Sequence, residues 1–197
     1  MFGPARPSIL QVACALLSLL FFIVAVVEAR IRSRSDGGPA SGRSLLSILG
    51  ILIQSFAFFL VSIGRLDPTS DMSAPASLLL SLIVLILGMG AVVLFRSSAN
   101  ALGNNWSVVA RTRSKHSLIT SGPFARVRHP IYAALLLLLI AWAVGLDHLL
   151  ALILAVPIYV IGTVIRVREE EKLLINRFGE AYRAYVRATP AFIPRLS

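Results

Sequence analysis

Two short clusters of charged residues border the most apolar part of the sequence, and their side chains could do chemistry there. Arg128 and His129 come immediately before a run of leucines, and Arg166 is followed closely by three successive glutamates, 169–171. Arg166 and Glu170 are four residues apart, so they share one face of a helix. A guanidinium can hold a carboxylate through two parallel hydrogen bonds, but arginines at a membrane helix end also extend to lipid headgroups. The clusters therefore predict either a binding site for charged groups or interfacial anchors.

Several familiar catalytic patterns are absent from the sequence. There is no glycine-rich phosphate loop, no GxGxxG motif and no Gly-x-Ser-x-Gly motif. The 3 histidines are far apart in the sequence, and no Cys/His spacing typical of a zinc site occurs. Cys14 is the only cysteine and lies inside an apolar run, so it has no partner for an intramolecular disulfide. We therefore expect no metal centre, and a nucleotide-derived cofactor would need a site unlike the Rossmann fold.

The composition places the two clusters in an integral membrane protein. Of its 197 residues, 57% are hydrophobic and 14% are charged, whereas a soluble domain is nearer half apolar and a quarter charged. The formal net charge of +10 comes from basic residues in loops beside apolar runs, which is typical of contacts with anionic lipid headgroups. No separate basic domain is present, so we expect binding to membrane lipids and none to nucleic acid.

The apolar runs predict an all-α polytopic protein with about five transmembrane helices in a single membrane domain, residues 1–197. Region 131–165 is too long for one crossing of about 20 residues, and Gly145-Leu-Asp-His148 interrupts it, so we expect a tight hairpin of two short helices. Apolar residues spaced by three or four in 169–187 predict a C-terminal amphipathic helix at the membrane interface. The expected spans are 8–27, 45–64, 76–95, 131–146 and 149–165.

The distribution of basic residues predicts the orientation in the membrane. Lys and Arg concentrate in the first loop, the third loop and the C-terminal tail, and cytoplasmic segments carry such an excess. The N-terminus is therefore expected outside, and the hairpin should bring His129 close to 166–171 at the cytoplasmic face. The arginine-rich, lysine-poor composition is typical of a bacterial protein, so we expect the bacterial inner membrane.

Six motifs in the second half of the chain have an order and spacing that resemble a known family. They are LGNNWS at 102–107, HSLI at 116–119, SGPF at 121–124, RHPIY at 128–132, RVREEEKLL at 166–174 and FGEAYRAY at 178–185. This ordered set is similar to the isoprenylcysteine carboxyl methyltransferase family, which is related to the phospholipid N-methyltransferases. The resemblance covers residue 102 to about residue 194.

The resemblance implies an enzyme that uses S-adenosyl-L-methionine and releases S-adenosyl-L-homocysteine. It implies cofactor-binding elements at 102–132 and 166–187, with two catalytic residues, Arg166 contacting the substrate and Glu170 the cofactor. Two departures stand out: Phe124 replaces a usual tyrosine, and Ala134 replaces a frequent glycine. The cofactor-binding residues implied by position are His116, Ser117, Leu118, Ile119, Gly122, Phe124, Arg128, His129, Pro130, Ile131, Tyr132 and Glu170.

The resemblance further implies carboxyl O-methylation of an isoprenylcysteine-like substrate that reaches the site through the bilayer. The acceptor is expected to be a lipid, a prenylated small molecule or a prenylated protein. One alternative is N-methylation of a phospholipid such as phosphatidylethanolamine. Another is a membrane scaffold or lipid-binding protein without activity. The sequence does not predict an oligomeric state.

Overall fold

The computed structural model describes residues 7–33, 44–64, 73–103 and 117–193, and within these ranges the chain is helical with no β-strand. Short 3-10 turns, Gly122–Ala125 and Leu149–Ala151, precede the fourth and fifth helices. The all-α fold class is confirmed. The helices are α1 (Ile9–Arg32), α2 (Leu45–Ser62), α3 (Ala74–Leu102), α4 (Pro130–Gly145), α5 (Leu152–Phe178) and α6 (Glu180–Ala188).

Within the described ranges, four helical segments are long and apolar enough to cross a membrane: α1, α2, α3 and Leu149–Phe178, which contains α5. The fifth predicted span is present as α4, which is apolar but has only 16 residues. At 1.5 Å per residue, α4 is about 24 Å long, less than the hydrocarbon core of about 30 Å. The protein is therefore an integral membrane protein with four long apolar helices and one shorter one among the described residues.

The C-terminal half of the predicted hairpin differs from the expectation. Instead of ending near residue 165, α5 continues as one helix to Phe178. The segment expected as a single interfacial helix, 169–187, is therefore divided between α5 and α6. Gly179 separates the two with a φ of 53°, a conformation that glycine adopts without a Cβ clash. The apolar periodicity continues across this break, which is why spacing alone does not reveal it.

The helices α1 and α3 also extend beyond their apolar runs, to Arg32 and Leu102 rather than to residues 27 and 95. Their polar ends lie side by side, since the Arg96 guanidinium is 2.8 Å from the Glu28 carboxylate. Hydropathy marks only the apolar part of a helix, whereas the backbone hydrogen bonds continue through its polar end.

The main helix contacts form two groups, α2 with α5, and α3 with both α1 and α4. The α2–α5 contact is close because Gly50 faces Gly162: a Cβ on Gly162 would lie 2.8 Å from the Gly50 carbonyl oxygen. Small residues allow such backbone approach between membrane helices. The contact brings the middle of α2 against the part of α5 that carries Arg166.

The second group has an aromatic and aliphatic core. Phe22 of α1 and Phe95 of α3 stack with ring centroids 4.9 Å apart, and Leu138 packs in the same cluster. Ala134 is fully buried in this cluster. The residue that departs from the family pattern therefore contributes to helix packing.

Candidate active site

The two charged clusters meet where α4 begins and the polar third of α5 runs past it. His129 is the N-cap residue of α4 and Pro130 is its first residue, a position where the missing N–H of proline costs nothing. The buried Tyr159 side chain donates a hydrogen bond to the Tyr132 carbonyl oxygen over 2.7 Å, which ties the first turn of α4 to α5. His129 and residues 166–171 therefore lie close together, as expected from the hairpin.

Glu171 lies at the centre of an ion cluster on the α4 side. Its carboxylate is 2.9 Å from a terminal nitrogen of Arg128 and 3.0 Å from His129 Nε2. The other terminal nitrogen of Arg128 donates to the carbonyl oxygens of Val186 and Thr189, at 3.0 and 2.9 Å. The Arg128 side chain therefore connects α4 to the C-terminal segment, a structural role that the motif did not indicate.

The C-terminal segment also pairs with the backbone just before α4. The backbone N–H of Arg128 donates to the Pro190 carbonyl over 2.9 Å, and that of His129 to the Ala191 carbonyl over 3.0 Å. The His129 ring, which is 5% exposed, lies 5.7 Å from the Phe192 ring between centroids. Residues 189–192 therefore hold His129 in place, and no motif pointed to them.

Glu170 lies on the other side of His129, facing Arg166. One carboxylate oxygen accepts a hydrogen bond from the Tyr132 hydroxyl and is 4.0 Å from a terminal nitrogen of Arg166. The other oxygen is 3.8 Å from His129 Nδ1. Because the Glu170 side chain remains 27% exposed, it can accept a further hydrogen bond from a bound group.

Arg166 is the more buried of the two arginines of the site. It is 8% exposed, and its guanidinium carbon lies 4.9 Å above the Tyr132 ring, a cation–π contact. One terminal nitrogen donates to the side-chain oxygen of Gln54 in α2 over 2.8 Å. Gln54 was not singled out from the sequence, although an amide within an apolar span is costly unless it is hydrogen-bonded.

A crevice of about 290 Å³ opens beside Arg166, close to the lower end of the size range of ligand pockets. It lies between α2, α4 and α5, with Arg166 and Gln54 among its polar walls. The arrangement combines an apolar crevice with a buried cation, which suits an acceptor with an apolar chain and a negatively charged head group. The residues that line the crevice are Ile51, Gln54, Ser55, Phe58, Leu135, Tyr159 and Arg166.

The residues of the SGPF motif lie against α3 and α6. A Cβ on Gly122, whose φ is 63°, would come 3.6 Å from the Ala101 methyl group. The buried Phe124 accepts a hydrogen bond at its carbonyl oxygen from the Tyr185 hydroxyl over 2.6 Å. Burial raises the pKa of Tyr185 to about 12, so this hydroxyl remains a donor at neutral pH. The motif is therefore anchored to α6 through its backbone.

The remaining residues predicted to bind the cofactor lie in different parts of the chain. Ser117 is exposed, and Leu118 and Ile119 are half-buried, upstream of the SGPF turn. His116 lies outside the described residues. Ile131 follows Pro130 in the first turn of α4. The structure thus brings Arg128, His129, Tyr132, Arg166 and Glu170 into one cluster. Among the described residues, no group of three His, Cys, Asp or Glu side chains could hold a metal ion.

Fold and site together define a class: a polytopic all-α membrane protein in which a buried arginine and a partly exposed glutamate lie at one end, next to an apolar crevice. Comparison with known proteins shows which family part of the chain resembles. The model of the isoprenylcysteine carboxyl methyltransferase family matches residues 80–176. This confirms the resemblance carried by the motifs, and those residues have the sequence pattern of that family.

Curated relatives are of two kinds. The chain is 31% identical over 116 residues to the cobalt-zinc-cadmium resistance protein CzcN of Cupriavidus metallidurans, covering 58% of this chain and 51% of that protein. It is 31% identical over 125 residues to the protein-S-isoprenylcysteine O-methyltransferase of Xenopus laevis, covering 58% and 41%. With the Schizosaccharomyces pombe protein of the same name it shares 35% over 108 residues, covering 50% and 43%. The chain spans about half the length of the curated relatives it matches.

Proposed function

We propose that this protein is an S-adenosylmethionine-dependent methyltransferase that esterifies the carboxylate of a lipidic acceptor within the membrane. An isoprenylcysteine-like molecule is the acceptor that fits best. The observation that carries the proposal is the buried Arg166, which lies beside the apolar crevice and four residues before Glu170. The family match and the names of the Xenopus and Schizosaccharomyces relatives support it.

The described residues fit the cofactor in two respects. Glu170 offers a carboxylate for the α-amino group of the cofactor. At the N-terminus of α4, no described side chain caps the free backbone N–H groups, and such an end favours the carboxylate of an amino acid. The residues expected to line the rest of the site are those of 116–119, Gly122 and Phe124. When bound, the cofactor supplies an electrophilic methyl group that needs little further activation.

The acceptor carboxylate is held by Arg166 through a charge-assisted contact. A carboxylate is ionised at neutral pH and therefore needs no general base. The work of the protein is then alignment of the reacting groups and exclusion of water. Tyr132 assists by fixing both partners, since its hydroxyl is bonded to Glu170 and its ring lies under Arg166.

A methyl-transfer assay with labelled cofactor tests the proposal against a panel of prenylcysteine, fatty-acid and aminophospholipid acceptors. We expect transfer to the prenylcysteine carboxylate, with a pH–rate profile that is flat near neutrality. Transfer only to the aminophospholipid would contradict the proposal, and so would a rate that falls steeply below neutrality, because an amine must first lose a proton. Failure to bind S-adenosylhomocysteine in calorimetry would favour a scaffold or lipid-binding protein.

We also propose that the site faces the cytoplasm of a bacterial inner membrane. The proposal rests on the excess of Lys and Arg in the first loop, the third loop and the C-terminal tail. Single cysteines introduced in a Cys14→Ala background at the exposed positions Ser73 and Ala188 test the sidedness. An impermeant maleimide added to intact cells should label only the first, and the opposite pattern would contradict the orientation.

A further inference from the structure

The helix α2 lies outside the residues matched by the family model, 80–176, yet it contributes a polar side chain to the site. Gln54 lies within an apolar span and is 5% exposed. Burying an amide without hydrogen bonds costs about 1–3 kcal/mol in proteins. The hydrogen bonds of the Gln54 side chain therefore explain why an amide is tolerated within this apolar span.

Both ends of the Gln54 amide are used. Its nitrogen donates to Thr163 Oγ1 over 2.7 Å, and its oxygen accepts from Arg166 over 2.8 Å. Because a guanidinium can only donate, the amide oxygen must face Arg166, and the amide nitrogen is left for the Thr163 hydroxyl. Thr163 and Arg166 are three residues apart on α5, so they lie on one face of that helix.

The close packing of α2 on α5 makes these contacts possible. A Cβ on Gly162 would lie 2.9 Å from Cγ of Gln54, and one on Gly50 would lie 2.5 Å from Cγ of Arg166. The two glycines therefore leave room for both long side chains to pass between the helices and meet.

Gln54 is also neutral, so the positive charge of Arg166 remains available to an acceptor. Its amide orients the Arg166 guanidinium without cancelling the positive charge. A carboxylate at the same 2.8 Å distance would form a buried ion pair with Arg166 and weaken its attraction for a second anion. Glu170 is farther away, at 4.0 Å, and is bonded to the Tyr132 hydroxyl.

The same face of α2 forms one wall of the crevice. Ile51, Gln54, Ser55 and Phe58 all line it, and their spacing of three and four residues is that of one helical face. An apolar chain lying along Ile51 and Phe58 would place its head group near Gln54 and Arg166.

We propose that Gln54 is a positioning residue that holds the Arg166 guanidinium and, by remaining neutral, makes the site selective for an anionic acceptor. The acceptor is then an apolar chain with a carboxylate head, seated against α2. This inference rests on the proposed methyltransferase function.

The test compares Gln54→Glu and Gln54→Met with the wild type in detergent. The measurements are KM and kcat for N-acetyl-S-farnesylcysteine, the inhibition constant of its neutral methyl ester, and the Kd of S-adenosylhomocysteine. Gln54→Glu should raise KM for the carboxylate by about tenfold or more, the effect of losing one charge-assisted contact. The constants for the neutral ester and for S-adenosylhomocysteine should stay unchanged. Gln54→Met should lower kcat more than it raises KM, because Arg166 keeps its charge but loses its orientation.

Gln11→Met is the matched control, since Gln11 is another buried glutamine, whose side-chain nitrogen donates to the Val144 carbonyl in the second helix group. This variant should leave all four constants unchanged. If Gln54→Glu fails to fold, Thr163→Val releases the same amide and, like Gln54→Met, should lower kcat more than it raises KM for the carboxylate, without changing the Kd of S-adenosylhomocysteine.

Two failures are distinguishable. An active wild type whose Gln54→Glu variant keeps its KM, or weakens carboxylate and ester equally, would overturn the role of Gln54 and leave the methyltransferase proposal intact. A wild type that methylates no carboxylate in the panel would overturn the proposed function, and the inference with it.

Discussion

The two ends of the α4–α5 pair both contain hydrogen-bonded polar side chains, but the contacts at the two ends differ. At the hairpin turn, His148 Nδ1 is 2.7 Å from the Val61 carbonyl oxygen, and the Trp142 indole donates to Ser62 over 2.9 Å. These contacts join the hairpin turn and the end of α4 to the end of α2. At the opposite end, Arg166 and Glu170 lie 4.0 Å apart beside an open crevice. One end joins helices, whereas the other holds charges that a bound molecule can still reach.

The largest effect on binding should follow from changing the charge of Glu170. Glu170→Gln keeps an acceptor for the Tyr132 hydroxyl but removes the negative charge proposed to face the cofactor amine. The Kd of S-adenosylhomocysteine should rise about tenfold to a hundredfold, the contribution of a hydrogen bond to a charged group. Calorimetry in detergent measures this change.

The control for Glu170 is Glu180→Gln. Glu180 is an exposed glutamate of α6 that pairs with Arg183, and its replacement should leave the Kd unchanged. Equal losses of affinity in the two variants would mean that Glu170 contributes no more to the binding of S-adenosylhomocysteine than an exposed glutamate does.

The next effect concerns the close contact that brings α2 to the site. Gly162→Ala places a methyl group 2.8 Å from the Gly50 carbonyl oxygen, so the helices must separate. The free energy of unfolding should fall by about 3 kcal/mol, near the top of the range for overpacking. Activity at permissive temperature should fall too, because Gln54 moves with α2.

Gly90→Ala is the matched control for Gly162→Ala. Apart from the surrounding backbone of α3, no atom lies within 4 Å of a Cβ built on Gly90, and alanine is favoured over glycine in a helix by about 1 kcal/mol. Thermal unfolding in detergent should therefore show this variant unchanged or slightly stabilised. A similar loss in both variants would contradict the importance of the α2–α5 contact.

A smaller effect is expected from Glu171, which holds Arg128 and His129 in place and is not proposed to bind the cofactor. Glu171→Gln weakens its contacts with Arg128 and His129, and both partners are held by residues 189–191 as well. Stability should fall by about 1–2 kcal/mol, with faster amide hydrogen exchange confined to 189–192. The Kd of S-adenosylhomocysteine should change less than in Glu170→Gln; a larger change would reverse the roles assigned to the two glutamates.

The smallest effect is expected at the hairpin turn. Burial raises the pKa of Asp147, partly offset by His148, so the ionised carboxylate destabilises the folded state at neutral pH. Asp147→Asn should therefore raise the free energy of unfolding at neutral pH by less than about 1 kcal/mol. Thermal unfolding should show this as a higher melting temperature. The gain should disappear as the pH falls and Asp147 becomes protonated in the wild type. A gain independent of pH would contradict this account.

Much of the fold was predictable because the membrane imposes simple rules on sequence. Runs of about 20 apolar residues indicate helices, and all five predicted spans correspond to apolar helices in the structure. The boundaries were less predictable. Hydropathy does not mark the polar end of α5, and one glycine, Gly179, ends that helix at a position where the apolar spacing continues.

The candidate site was predictable where it depends on local spacing. The i, i+4 relation of Arg166 and Glu170 and the hairpin connection are enough to bring 128–132 and 166–171 together. The contribution of Gln54 was not, because nothing in the sequence of an apolar span shows which helix it packs against. The contacts of Arg128 with the C-terminal residues were missed for the same reason, since they are made to backbone carbonyls of Val186 and Thr189 that any residue could provide.

The measurement that tests the central claim most directly is methyl transfer by Arg166→Ala compared with Arg96→Ala. Both changes remove an arginine paired with a glutamate, but Arg96 is 47% exposed at its side chain and Arg166 is buried at the crevice. With folding verified by a retained Kd for S-adenosylhomocysteine, Arg166→Ala should lower kcat/KM for the prenylcysteine carboxylate about a hundredfold. Arg96→Ala should leave it unchanged. Wild-type turnover in a folded Arg166→Ala variant would contradict the proposed site.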